Sequence, residues 1–183
     1  MRAISTRSPK NGAFQHPSSA CRVARMSKIR DYRRKGTQQL RIGLHSSVNR
    51  IYHTSTVTRG RLPVFQSLPN GRLLTRAMMR IQIQGHAESL AFVIMPDHLH
   101  WLLRLAGDRS LSDCVCAVKS ESARAIKRFG THTSPVWQRG FYDRAIRTEE
   151  SIVDVARYII ANPVRAGIVD SVRRYSLWDA VWV

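Results

Sequence analysis

The spacing of apolar positions along the chain changes several times, and each change marks an element. Residues 50–58, Arg-Ile-Tyr-His-Thr-Ser-Thr-Val-Thr, are rich in β-branched and aromatic side chains and predict a strand, ended by Arg59-Gly60-Arg61. Between Asn70 and Gln84, Leu73, Leu74, Ala77, Met78 and Ile81 recur at helical spacing, which predicts an amphipathic helix stopped by Gly85. Ser89 to Ile94 is a second strand, Met95-Pro96-Asp97 a break, and His98 to Leu105 a third strand. Ser110 to Phe129 reads as a helix with Ser110 or Ser112 as N-cap and Gly130 as its stop; Cys114, Ala117 and Val118 fall on its apolar side. Val136 to Ile146 is a fourth strand. Thr148 then caps a last helix carrying Ile152, Val155, Ala156, Ile159 and Ile160, with Glu149 and Glu150 in its first turn and Pro163 beyond its end.

The apolar stretch from Tyr175 to Val183 is expected to pack back on the domain. Residues 1–27 show no periodic apolar pattern and read as a disordered basic leader, which leaves residues 28–183 as the folded domain. The order β-α-β-β-α-β-α predicts an α+β fold, a ferredoxin-like antiparallel sheet with helices packed on one face.

Charge narrows what such a domain would meet. The chain of 183 residues carries 30 Lys and Arg against 12 Asp and Glu, a net +18. Residues 1–50 hold 12 basic residues and one acid, Asp31, and so carry +11 of that total. A balance of this kind points to a polyanion, most simply a nucleic acid, and suits a small neutral substrate poorly. Arg30, Arg33, Arg34 and Lys35 cluster around Tyr32 as an arm suited to a phosphate backbone. Lys119 on the second helix, and Arg139, Arg144 and Arg147 in or beside the fourth strand, are further candidates for phosphate contact. No apolar run approaches the roughly 20 residues of a membrane helix. Cys21, Cys114 and Cys116 are odd in number and form no C-x-x-C pair, so a reducing compartment is expected and a disulfide framework is not.

Candidate chemistry centres on His98-Leu99-His100. On a strand, side chains alternate between faces, so both imidazoles project from one side while Leu99 and Trp101 serve a core on the other. An isolated H-x-H is as compatible with two partly buried sheet residues as with a pair of metal ligands. The last helix supplies the rest of a site. Tyr158 and Asn162, four apart, share a helix face. Each also has an ordinary role open to it, Tyr158 at the edge of a core and Asn162 as a helix cap. Together, His98, His100 and Asn162 offer three neutral ligands for a divalent cation, Mg²⁺ or Mn²⁺, with open positions for phosphate oxygens. Tyr158 would be the attacking oxygen.

Three motifs, Met95-Pro-Asp-His-Leu-His100, Val136-Trp-Gln-Arg-Gly-Phe141 and Tyr158-Ile-Ile-Ala-Asn-Pro-Val-Arg-Ala-Gly167, resemble in order and spacing those of the REP-associated tyrosine transposases, single-tyrosine HUH transposases of bacterial insertion sequences. The resemblance runs from about Tyr32 to the C-terminus. It implies an HUH fold that cleaves and rejoins single-stranded or hairpin DNA through a 5′-phosphotyrosine and a free 3′-hydroxyl, acting as a monomer or homodimer in the bacterial cytoplasm near the nucleoid. By motif position, His98 and His100 are the metal pair, Tyr158 the nucleophile and Asn162 the third ligand. Tyr142 lies near the second motif but does not match the nucleophile's position. The alternative is a non-catalytic basic module of RRM-like fold, which would treat His98, His100 and Tyr158 as packing.

Overall fold

The structure, a computed structural model, describes residues 49–129, 135–147 and 151–182. The leader, the arm with Arg30, Arg33, Arg34 and Lys35, the Gly130 stop and the Thr148 cap with Glu149 and Glu150 lie outside the described residues. In chain order the elements are β1 (Ile51–Val57), α1 (Leu68–Ile83), β2 (Ala87–Met95), β3 (His98–Leu105), α2 (Leu111–Arg128), β4 (Tyr142–Ala145), α3 (Ile152–Ile160), a single turn α4 (Asn162–Arg165) and β5 (Trp178–Ala180). The strands form one antiparallel five-stranded sheet in the order β4-β1-β3-β2-β5.

Alternation along β3 builds both faces of this sheet. Leu99, Trp101, Leu103 and Leu105 turn to one side, where they join Tyr52, Phe92 and Ile94 under Leu74, Ala77, Met78 and Ile81 of α1 and Cys114, Val115, Val118 and Ile126 of α2. Leu102 turns to the other side, with Ala91, Val93 and Met95 of β2, and meets Ala156, Ile159 and Ile160 of α3. The antiparallel α+β class is therefore as the sequence predicts, but the helices do not share one face. α1 and α2 cover one side and α3 covers part of the other. An apolar stripe on a helix says that it must be buried, not against which side of a sheet.

Local signals explain most boundaries. Gly85, at φ 72°, ends α1 with its N–H on the Gln82 carbonyl. Ser110 caps α2 by accepting from the Asp113 N–H. The expected C-terminal packing takes a definite form, since Ala91, Phe92 and Val93 of β2 pair with Ala180, Asp179 and Trp178. The fourth strand is shorter than predicted. Gly140, at φ 71°, interrupts the Val136–Ile146 run, and only Trp137 of the preceding segment bridges to the sheet, at Thr58. Among the described residues no helix is long and apolar enough to cross a membrane.

The core face of the β1 end is lined by three buried threonines with different fates. Thr54 donates to the Trp101 carbonyl at 3.3 Å. The Thr58 hydroxyl lies 2.8 Å from the Leu62 carbonyl oxygen and 2.9 Å from that of Asp97, and its one hydrogen is shared between them. Thr56 Oγ1 is the one buried side-chain polar atom among the described residues without a partner in the protein. Val has nearly the shape of Thr without the hydroxyl. Thr56→Val is therefore expected to raise stability by about 1 kcal/mol, and Thr58→Val to lower it by about 1–2 kcal/mol. Urea denaturation of the two variants checks both signs.

Candidate functional site

His98 opens β3 immediately after the Pro96-Asp97 turn, and the turn is held from several sides. The Thr58 N–H and hydroxyl both reach the Asp97 carbonyl, and the Phe65 N–H donates to the Pro96 carbonyl. Arg61 Nη1 donates to Asp97 Oδ2 at 2.9 Å. The other carboxylate oxygen, Oδ1, lies 2.5 Å from His98 Nδ1. Partial burial pushes the Asp97 carboxyl up, but the hydrogen bond and charge of His98, with Arg61 behind them, outweigh it and hold it below its ordinary value. An ionised carboxylate on Nδ1 fixes the proton there and leaves His98 Nε2 with a lone pair.

His100 follows on the same face, its ring edge-on to that of His98 with centroids 4.8 Å apart. Its Nδ1 lies 3.2 Å from Nε2 of a third histidine, His53, in β1. Sequence reasoning missed His53. Its only local sign was an imidazole on a strand of period two, and the β1–β3 register that brings it beside His100 is not written in either strand alone. Burial pushes His53 down to about 4, with the nearby Arg144 charge adding to the effect. Burial likewise pushes His100 down to about 3, helped by His98 and His53 against the opposing pull of Asp97. Both are neutral near pH 7, so one ring must donate to the other. When His100 Nδ1–H is the donor, its Nε2 is free to bind a cation.

The other half of the site lies on α3. Ser151 caps that helix by accepting from the Asp154 N–H, and Ala156, Ile159 and Ile160 seat it on the sheet. Val93 and Met95, within that seat, are the register partners of His100 and His98. The helix thus covers the face from which the histidines project. Tyr158 is half exposed (50%), with the Arg165 guanidinium 4.3 Å above its ring centroid. Asn162 Nδ2 donates to the Tyr158 carbonyl at 3.1 Å and to the Ile159 carbonyl at 2.9 Å, closing the end of α3, while Pro163 sits in the first turn of α4. The structure therefore brings His98 to His100 and Asn162 to Tyr158 on one side of the sheet. Among the described residues neither Tyr158 nor Asn162 hydrogen-bonds an imidazole. Nor does any trio of His, Cys, Asp or Glu side chains among them converge on a metal position. A cation here would draw on the two imidazoles and a donor of another type, and the Asp97-anchored, neutral histidine pair suits that role.

The basic candidates divide. Lys119 is corrected: its Nζ donates to the Gln138 and Gly140 carbonyls at 2.9 and 2.7 Å, and burial lowers its pKa. In this geometry it clamps α2 to the 136–141 loop rather than facing a phosphate. Trp137 adds to the clamp by donating to Ser122 Oγ at 3.1 Å and stacking at 5.1 Å on Phe65. Arg144 lies directly across from His53 in the β1–β4 register and shares its face. Arg139 and Arg147 are exposed.

Comparison with known proteins agrees with this geometry. The family model described as "Transposase IS200 like" matches residues 46–162, a span holding both histidines, Tyr158 and Asn162. The chain belongs to that family of transposases. An Escherichia coli K12 REP-associated tyrosine transposase is 30% identical over 105 residues, covering 55% of this chain and 59% of the relative. A Haemophilus influenzae protein provisionally described as a REP-associated tyrosine transposase is 29% identical over 96 residues, covering 47% of this chain and 54% of that one. The matches thus span little more than half the length of these curated relatives. The solved structure of a REP-associated tyrosine transposase bound to a REP hairpin shares the fold, with a TM-score of 0.63 at 22% identity over 73% of this chain and 78% of that one. The family resemblance carried by the three motifs is borne out.

The histidine burial has a measurable consequence in metal-free protein. As pH falls through the ordinary histidine value of 6.5, His53 and His100 take up protons in the unfolded chain but stay neutral in the folded one until about 4 and about 3. The unfolded state then holds more protons, so stability is expected to fall from about pH 6.5 downward, with a slope of up to ~2.7 kcal/mol per pH unit for two such groups. His53→Gln should remove roughly half of that slope. Urea denaturation in EDTA at intervals between about pH 7 and about pH 5 reads it, and an unchanged slope in the variant would clear His53.

Proposed function

We propose that this protein is a DNA strand transferase that cleaves and rejoins single-stranded DNA at hairpin-associated sequences, with Tyr158 as nucleophile. The observation that carries the reading is the Asp97-anchored pair His98 and His100 on the sheet face that α3 covers, with Tyr158 and Asn162 at the end of that helix. The Tyr158 oxygen attacks a backbone phosphorus and loses its proton as the new P–O bond forms. The bond from phosphorus to the 3′ oxygen breaks, and that oxygen leaves as a hydroxyl after gaining a proton. The 5′ end remains esterified to Tyr158. Attack by another 3′-hydroxyl reverses these steps and joins the strands, with no external energy source required. The Arg165 guanidinium over the Tyr158 ring orients the ring and offers positive charge to the phosphate.

His98, His100 and the Oδ1 atom of Asn162 would hold a divalent cation, Mg²⁺ or Mn²⁺. When bound, it would supply Lewis acidity to a phosphate oxygen. Asp97 and His53 set the tautomers of the two imidazoles, so that Nε2 of each presents a lone pair. Hairpin DNA as the substrate is supported by the relative whose structure holds a REP hairpin, and by the net +18 of the chain. The setting would be the bacterial cytoplasm, where the protein meets chromosomal DNA as a monomer or homodimer. One observation favours the binding-only, RRM-like alternative: the Asn162 amide already has a structural task at the end of α3.

Tyr158→Phe separates the two readings. It removes one oxygen from a half-exposed side chain, so stability should change by less than about 1 kcal/mol. Affinity for single-stranded stem-loop DNA should survive, and the covalent protein–DNA adduct formed with Mn²⁺ should vanish from denaturing gels. His98→Ala should likewise lose the adduct and keep most DNA affinity, because phosphate contacts come chiefly from basic side chains elsewhere. A native-strength adduct in Tyr158→Phe would exclude Tyr158 as nucleophile. Failure of the unaltered protein to form any adduct on stem-loops from its own genome would leave the binding-only reading.

A further inference from the structure

The histidine face is not covered evenly. The apolar contacts of α3 reach β1 and β4 only through Ile51 and Ile146, at one end of that strand pair. Ser55 lies four residues further along β1, about 14 Å away at the usual strand rise. It pairs with His100 on one side and with Tyr142 of β4 on the other, so one rung of the sheet reads Tyr142–Ser55–His100. Directly paired residues point to the same face, which puts the Tyr142 side chain on the histidine side, two strand spacings or about 10 Å from His100. Tyr142 is 59% exposed. Arg144, two residues on in the same edge strand, projects from the same face opposite His53.

We propose that Tyr142 is a stacking platform for a base of single-stranded DNA, which it holds while the adjoining backbone runs toward the histidine pair. An exposed aromatic ring beside an arginine, on the open half of a sheet face, has the two features by which proteins hold single strands: a π surface for the base and a cation for the phosphate. Strand separation gives the distance its meaning. A base on Tyr142 and a phosphate near His100 are two rungs apart, the reach of a nucleotide or two. The small Ser55 between them leaves room for the sugar. The inference rests on the proposed DNA substrate, but its test requires no cleavage. An exposed tyrosine on an edge strand can also be ordinary surface, and the experiment distinguishes the two.

The full chain is titrated, in EDTA, with a short fluorescent oligo-dT strand and with an abasic strand of the same length and charge. The unaltered protein should prefer oligo-dT. Tyr142→Leu keeps apolar bulk at the position and removes the π face. It should weaken oligo-dT binding on the order of tenfold, the usual loss for one base–aromatic stack, and leave the abasic strand's affinity unchanged. Tyr142→Phe keeps the ring and should behave as the native protein. Equal losses on both strands, no loss on either, or a Phe variant as weak as the Leu variant would overturn the platform. These outcomes are readable whether or not the protein ever forms a covalent adduct, so failure of this inference and failure of the proposed chemistry are separate results.

Discussion

Everything at this site depends on the period of one strand. β3 is central in the sheet and buried on both sides, and its even and odd positions are given to different tasks. Leu99, Trp101, Leu103 and Leu105 are at most 2% exposed and form the floor of the α1/α2 core. Because those four cannot turn over without exposing a core, His98 and His100 are committed to the other face. A register slip of one residue would bury the imidazoles under α1 and α2 and expose Trp101, so apolar packing on one side enforces the chemistry on the other. The Pro96-Asp97 turn then fixes the strand's phase. Its two carbonyls are held by Thr58 and Phe65, and its carboxylate is held by Arg61 while it binds His98.

The same logic decides what could be read from the sequence. Elements set by local pattern were legible. The His98–Leu105 strand is found with its bounds intact, and the helices stopped at Gly85 and capped at Ser110 agree within two residues at each end. Features set by contacts between distant segments were not. His53 stands 47 residues from its partner His100 and gives no local sign of the meeting. The fourth strand was drawn too long because Val136 to Phe141 has strand-like composition. That stretch is instead held by Lys119, by Ser122 under Trp137, and by the bridge to Thr58. The side of the sheet that α3 would choose was also out of reach of a helix-face argument.

Lys119 shows why charge is a weaker guide to role than to partner. A count of basic residues reports the field of the whole molecule, and that field points to a polyanion. It does not say which cations are free. A lysine has three hydrogens to donate, and here two lie on backbone carbonyls that the sheet leaves unpaired. The same ammonium would otherwise have been counted as a phosphate contact, and its long stem is what lets α2 reach the 136–141 loop. Arg144 differs in that its position is given by strand pairing, which places it on the histidine face whatever else it touches.

Asn162 is where the structural and chemical readings meet, and they are not rivals. Its amide nitrogen is the group that donates to the Tyr158 and Ile159 carbonyls, and that bonding fixes which end of the amide points away from the helix. An amide whose nitrogen is held in this way presents its oxygen in one direction, without the loss of rotamer freedom that a loose side chain would suffer on binding a cation. The last turn of α3 also needs those carbonyls satisfied, because Pro163, lacking an N–H, cannot serve them from the next position. A cap that orients an oxygen is therefore what a ligand at the end of this helix would require. The proline that ends the helix and the asparagine that closes it form one local device, set one turn after Tyr158.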